Sequence, residues 1–280
     1  MKEIMFNPEQ IGQFAQYLRQ EERSEKTVEK YVRDLRCFAA FIGQEAVNKQ
    51  SIIAYKSYLA ERYAVTSANS MIAALNSFLR YCGRQDLCIK QFKLQRQVYC
   101  PEEKELSRAE YVRLLKAAQE KQKKQLHLII QTICGTGIRV SELEYITVEA
   151  VMRGEAVVSC KGKNRRIFIV SALKKKLLRF AKERKICAGP VFITRNGTPI
   201  SRHYIWKEMK SLCRLAGVEA SKVFPHNLRH LFARTFYGIE KDIAKLADIL
   251  GHASINTTRI YIVTTGAEHR QKMEHMRLII

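Results

Sequence analysis

Between Phe224 and Tyr261 the sequence gathers His226, Arg229, His230, His252 and Tyr261. Such a set could grip one phosphate and attack it with a phenol. On a helix Arg229 lies one turn from His226. A guanidinium with a two-pronged grip on phosphate oxygens then sits beside an imidazole that can donate or act as a base. His226 and His230, at i and i+4, could instead hold zinc. The metalloprotease pattern needs Glu directly after the first histidine, but Asn227 stands there and no third ligand is evident. His230 points about 100° away from Arg229 and reads as scaffold. On spacing alone, Tyr261 reads as a core residue before it reads as a nucleophile.

A second arginine lies upstream. Arg139 follows Gly135-Thr-Gly137, a turn whose close backbone can admit a ligand, and Glu142 is placed three residues on to hold its guanidinium. With Arg229 it makes a two-arginine clamp for a phosphodiester, whose negative charge grows in the transition state. There is no P-loop and no acidic cluster arranged for two metals, so neither a cofactor nor a metal is expected.

The elements that must position these residues are mostly helical. From Pro8 to Gly83 the apolar residues recur at helical spacing. Ile11, Phe14 and Leu18 form one stripe; Tyr31, Leu35, Phe38 and Ile42 form a second, stopped by Gly43. Ser51 is placed to cap a third helix carrying Ile52, Tyr55, Leu59 and Tyr63. Ser67 is placed to cap a fourth, with Met71, Leu75, Phe78, Leu79 and Cys82, ended by Gly83. These make a compact helical domain over residues 1–90, its aromatics serving as core and its interleaved Lys and Arg as phosphate contacts. Periodicity fails over residues 91–106, read as a linker. A second domain, 107–280, opens with the capping box Ser107-Arg-Ala-Glu110 and continues into a buried helix, Leu126 to Cys134. Ala156–Cys160 and Ile167–Val170 read as two short strands around a basic turn, Lys161-Gly-Lys-Asn-Arg-Arg166. Helices resume at Leu173–Lys185 and Tyr204–Ala216, and from His226 a helical run leads to Leu250-Gly-His252. The fold class expected is mainly α with a small β component.

Composition narrows the partner. Lys and Arg number 49 against 27 Asp and Glu, a formal net charge of +22, which implies a polyanion and nucleic acid first. No stretch approaches the ~20 apolar residues of a membrane span, so no membrane is expected. The eight cysteines are scattered without a C-x-x-C pair and suggest reduced core thiols, not a zinc site or a disulfide framework. With no signal peptide at the start, a cytoplasmic, DNA-associated protein is expected.

Four boxes, in order, carry a resemblance. Thr136-Gly-Ile-Arg-Val-Ser-Glu-Leu143, His226-x-Leu-Arg-His230, Leu250-Gly-His252 and Thr258-x-x-Tyr261 resemble the signature of the tyrosine recombinase (phage integrase) family, of the Xer-like kind. Residues 8 to 95 resemble its helical core-binding, SAM-like domain more loosely, through Thr27-x-x-x-Tyr31-x-x-Asp34-Leu35. The resemblance implies that Tyr261 attacks the scissile phosphate to give a 3′-phosphotyrosine and a free 5′-hydroxyl. Arg139 and Arg229 would bind the non-bridging oxygens, His252 would donate a further hydrogen bond, and His226 would assist proton movement at the tyrosine. The hairpin lysine that acts as general acid on the 5′ oxygen matches Lys161 best, with Lys163 as alternative. Glu142 takes the place of the acidic residue behind the first arginine. Two arginines, a lysine and histidines would supply the field that a phenol of pKa ~10 needs, without a metal. The retained ester bond would make rejoining independent of ATP.

The implied activity is site-specific recombination of double-stranded DNA by a homo-tetramer, through a Holliday junction. The tail after Tyr261 would dock on a neighbouring protomer, and an accessory excision factor is a further candidate partner. A type IB topoisomerase shares this chemistry as a monomer, and a basic helical chain would also suit a DNA-binding factor without catalysis. The short helical N-terminal region and the integrase-like boxes favour recombination.

Overall fold

Each N-terminal stripe becomes one helix in the computed structural model, which describes residues 8–94, 104–160, 163–252, 254–262 and 273–276. The chain divides into two compact units, Met1–Arg96 and Gln97–Ile280. In the first, α1 (Pro8–Gln20), α2 (Glu25–Ile42), α3 (Lys49–Arg62) and α4 (Val65–Tyr81) enclose Phe14, Leu35, Phe38, Tyr55 and Phe78. The rings of Phe14 and Phe78 meet edge to face at 5.4 Å. Two helix starts fall earlier than expected. Asn48 caps α3 and Ser51 is the reciprocal partner in its capping box, while α4 begins at Val65, so Ser67 lies inside its first turn. Tyr63 falls beyond α3 and is exposed, outside the stripe it was assigned to. Buried Asn76 and Asn69 pair with the backbone of Ile89 and Phe92, which fastens the strand-like exit of this unit to α4.

In the second unit the Ser107–Glu110 capping box stands, as expected, at the start of α5 (Arg108–Glu120). Just upstream, Leu106 is already core and the Lys104 carbonyl accepts from Asn227. The strongly apolar α6 (Lys124–Thr136) is the central helix, packed on α5 and later on α11, and Gly137 closes it in the left-handed conformation. A 3-10 turn, Val140–Tyr145, and α7 (Val148–Arg153) lead to the antiparallel pair β1 (Glu155–Cys160) and β2 (Lys163–Phe168). Here the structure corrects the expectation: Lys163 to Arg166 is strand, not turn. Arg165 pairs with Val158 and Ile167 with Ala156, so Arg165 shares the inward face of β2 with Ile167 and Ile169.

After α8 (Ser171–Glu183), the helix expected to run to Ala216 breaks into α9 (Arg202–Lys210) and α10 (Cys213–Ala216). At the break, Ser211 caps the C-terminal end of α9: its carbonyl accepts from Lys121 and its hydroxyl donates to the Glu208 carbonyl. The run toward His252 is likewise two helices. α11 (Pro225–Glu240) ends where Lys241 turns to positive φ, and Asp242 then caps α12 (Ile243–Leu250). α13 (Ile255–Arg259) and a 3-10 turn, Ile260–Ile262, complete the described fold. Among the described residues no helix is long and apolar enough to cross a membrane.

Candidate active site

Tyr261 stands among three histidines. Its ring meets His230 nearly edge-on at 4.4 Å, lies parallel to His252 at 5.4 Å and is tilted to His226 at 5.8 Å between centroids. The ring is buried in a small apolar cluster with Ala233, Leu246 and Leu250, between α11 and α12. Its hydroxyl lies 3.4 Å from His226 Nε2. A phenol inside an apolar cluster with only its oxygen aimed at polar groups is a side chain held for what that oxygen does.

Arg229 is the floor of the site. Although a guanidinium, it is 1 % exposed. Pro at the first position of α11 suits a helix start, and Asn227 anchors that start by donating to the carbonyls of Lys104 and Lys222. Arg229 Nη1 donates to Gly137 O at 2.6 Å and Nη2 to Leu250 O at 2.7 Å. These carbonyls belong to the C-terminal ends of α6 and α12, where backbone oxygens lack helical partners and the dipole is negative. Burial, then repulsion by Arg139, lowers the Arg229 pKa to about 10, while Tyr261 opposes the fall; the group stays charged at neutral pH. Its Nε is buried and meets no acceptor among the described residues.

Gly251 reverses the chain after α12 at φ +65°, and the His252 N–H returns to the Ala247 carbonyl, which aims the imidazole back over Arg229. Arg229 Nη2 donates to His252 Nε2 at 3.0 Å, so in the free site that nitrogen carries a lone pair. The proton is then on Nδ1, which donates to Thr258 Oγ1 at 2.8 Å. Loss of hydration and the guanidinium of Arg229 push the His252 pKa down to about 4. His226 falls to about 4 as well, through loss of hydration first and then the charges of His230, Arg229, Arg139 and Arg202, although its ring keeps a face toward solvent. Both histidines are neutral at pH 7.

Arg139 enters from the other side. Gly137 has φ +66°, and a Cβ there would stand 2.4 Å from the Phe232 ring, so the turn before Arg139 requires glycine. Glu142 is 3 % exposed; it accepts from the Arg139 backbone N–H at 2.7 Å and from Nη1 at 2.9 Å. The Arg139 side chain it holds keeps 37 % of its surface open to a ligand.

Sequence reasoning therefore placed Arg139, Glu142, His226, Arg229, His230, His252 and Tyr261 in one constellation, and the fold brings all seven together. Lys161 lies outside the described residues, and Lys163 is described only in its backbone, as the first residue of β2. His230, read as scaffold, packs against the nucleophile candidate and pairs with Glu105 at 3.3 Å. Glu105, Thr258 and Arg165 were missed. Arg165 had a signal: a cation in step with Ile167 and Ile169 on the apolar face of a strand.

Both units match known protein families. Residues 104–267 match the phage integrase family model, and residues 11–86 match the model of the phage integrase N-terminal SAM-like domain. Tyrosine recombinase XerC of Pediococcus pentosaceus is 30% identical, over 92% of this chain and 94% of its own length. XerA of Pyrococcus furiosus is 27% identical, over 100% of this chain and 98% of its own. Among solved structures, a lambda integrase tetramer bound to a Holliday junction has a TM-score of 0.73 at 16% identity, over 93% of this chain and 78% of that one.

Proposed function

The chain belongs to the phage integrase family, the tyrosine-type site-specific DNA recombinases, and from that premise we propose that it cleaves and rejoins DNA through Tyr261. The observation that carries the reading is the Tyr261 hydroxyl, held beside His226 and next to the buried Arg229, whose guanidinium in turn feels the charge of Arg139. The Tyr261 oxygen bonds to phosphorus as the bond from phosphorus to the 5′ oxygen breaks. The phenol proton passes toward the neutral Nε2 of His226, and the 5′ oxygen takes a proton from Lys161 or Lys163. The product is a 3′-phosphotyrosine and a free 5′-hydroxyl, and the reverse steps rejoin strands without ATP.

Arg139 and the unpartnered Nε of Arg229 would take the non-bridging oxygens, since donors aimed at developing charge in a dry site are worth more than in water. A bound phosphodiester would draw Arg229 Nη2 from His252 and favour a proton on His252 Nε2, turning it into a further donor. His230, backed by Glu105, fixes the Tyr261 ring. The partner is a double-stranded recombination site, gripped also by the SAM-like unit, and the working assembly is a tetramer passing through a Holliday junction, as in the lambda integrase structure. Tail exchange between protomers is part of this reading. Most of the tail lies outside the described residues, but Met273 and Met276 within it are exposed apolar groups suited to docking. An accessory excision factor is a further partner in this reading, and the host compartment is the cytoplasm.

A site selected from a random duplex library by binding, then nicked so that cleavage cannot reverse, tests the proposal. Wild type should accumulate a covalent adduct at Tyr261, mapped by mass spectrometry, and exchange strands between two labelled duplexes. No adduct on a bound site sinks the enzyme reading, and a topoisomer ladder without strand exchange redirects it.

The acid limb of the reaction is a further check. At sub-saturating DNA the rate reports the free enzyme. Because the His226 pKa is lowered, its Nε2 stays unprotonated as pH falls and is lost as a base only near pH 4. Adduct rates should therefore show no acid limb between about pH 5 and 7.5. A limb centred on the usual imidazole value of 6.5 would remove His226 from this role.

A further inference from the structure

Arg165 lies on β2, four residues after Lys161 and two after Lys163, and its side chain is 11 % exposed. A strand arginine facing inward beside Ile167 must find buried partners or destabilise the fold. It finds them on two separate elements. Nη1 donates to Ile249 O at 2.8 Å, another C-terminal carbonyl of α12, and Nη2 pairs with Glu142 Oε2. Its stem passes against Gly251, where a Cβ would stand 2.5 Å from Arg165 Cδ. The glycine before His252 is thus required twice, by its positive φ and by this arginine.

We propose that Arg165 is a positioning residue that locks the lysine-bearing hairpin onto α12 and the Arg139–Glu142 pair. The proposal rests on the recombinase reading of the site. One buried carboxylate, Glu142, then sets two things at once: the first phosphate-binding guanidinium through Oε1, and the hairpin through Oε2. The Ile249 carbonyl adds a second tether beside the one that Arg229 makes to Leu250. The hairpin strands meet each other in a two-stranded ladder that docks through Ala156, Val158 and Ile167 on the core, and the Arg165 tethers add a polar anchor nearer its turn. A planar fork holds a carboxylate and a carbonyl in one fixed geometry, whereas an ammonium on a flexible stem can reach two acceptors without fixing their relative orientation.

The test is Arg165→Met, which keeps the stem against Gly251, with Arg165→Lys beside it. On the selected nicked duplex, Arg165→Met should bind DNA like wild type but cleave at least about tenfold more slowly, part of the ~10²–10⁴-fold that a placed proton donor supplies. Arg165→Lys should fall between. The duplex is then remade with sulfur as the 5′ bridging atom. A thiolate, with a thiol pKa of about 8.5, leaves without needing a proton, so the Arg165→Met defect should vanish. An equal defect on both duplexes overturns the proposal and assigns Arg165 to charge balance around Glu142 or to the fold. Hydrogen exchange on the DNA-free protein gives an independent reading. Amides of β1 and β2 should exchange faster in Arg165→Met while those of α11 do not, and unchanged hairpin protection also overturns it. If wild type itself forms no adduct, the recombinase reading fails, and hydrogen exchange still decides whether Arg165 holds the hairpin.

Discussion

Tyr261→Phe should abolish the covalent adduct and leave DNA binding within about threefold of wild type, less than 1 kcal/mol. The geometry separates the two effects. The ring is what the fold uses: it fills the cluster of Ala233, Leu246 and Leu250 and lies against three imidazoles. Phenylalanine keeps all of that. The hydroxyl makes a long contact, 3.4 Å, to His226 and lies beside Arg229, so its removal should cost about the ~0.5–1.5 kcal/mol of an ordinary hydrogen bond. Chemistry, by contrast, would lose the proposed nucleophile. The checks are adduct formation on the nicked duplex, a binding isotherm and a melting curve on the same preparations. An adduct that persists in the phenylalanine variant would move the nucleophile elsewhere. Loss of binding in parallel with cleavage would mean that the hydroxyl serves the fold.

The same residues show how much of this was legible in the sequence. Helical spacing found the core of the first unit, since Phe14, Leu35, Phe38 and Phe78 repeat with the period that burial demands. Box order marked the candidate constellation, because Arg139, Arg229 and His252 are each fixed by a local device that leaves a mark: a glycine with positive φ before Arg139 and before His252, and a proline opening the helix of Arg229. What stayed hidden was set by long-range partners. The start of β2 depends on pairing with β1, and Lys163 to Arg166 has a turn-like composition without that partner. Thr258 and Glu105 look like any threonine or surface acid until His252 and His230 arrive beside them. Nothing in the order of residues says that the Ser211 carbonyl at the end of α9 will meet a lysine ninety positions away, because that contact belongs to the packed unit.

Arg229→Lys separates a charge from a shape. Lysine keeps the positive charge under the phosphate but cannot reach the Gly137 and Leu250 carbonyls and His252 together, as the fork does. Two consequences follow from the one loss. A carbonyl left unpaired in a site that is 1 % exposed costs about 1–3 kcal/mol, so the urea midpoint should fall with an unchanged slope. The ends of α6 and α12 also lose their common anchor, and with it the placement of Arg139 after one and His252 after the other. Removing one preorganised donor of this kind costs ~10²–10³-fold in rate, and here the donor also orients its neighbours, so the lower end is the least expected for adduct formation. DNA binding, which draws on many cations of a chain carrying +22, should change far less. Stability and rate measured on one preparation decide the matter. A lysine variant as stable as wild type would mean that the carbonyl tethers contribute nothing. One that cleaves at the wild-type rate would mean that charge alone suffices beneath the phosphate.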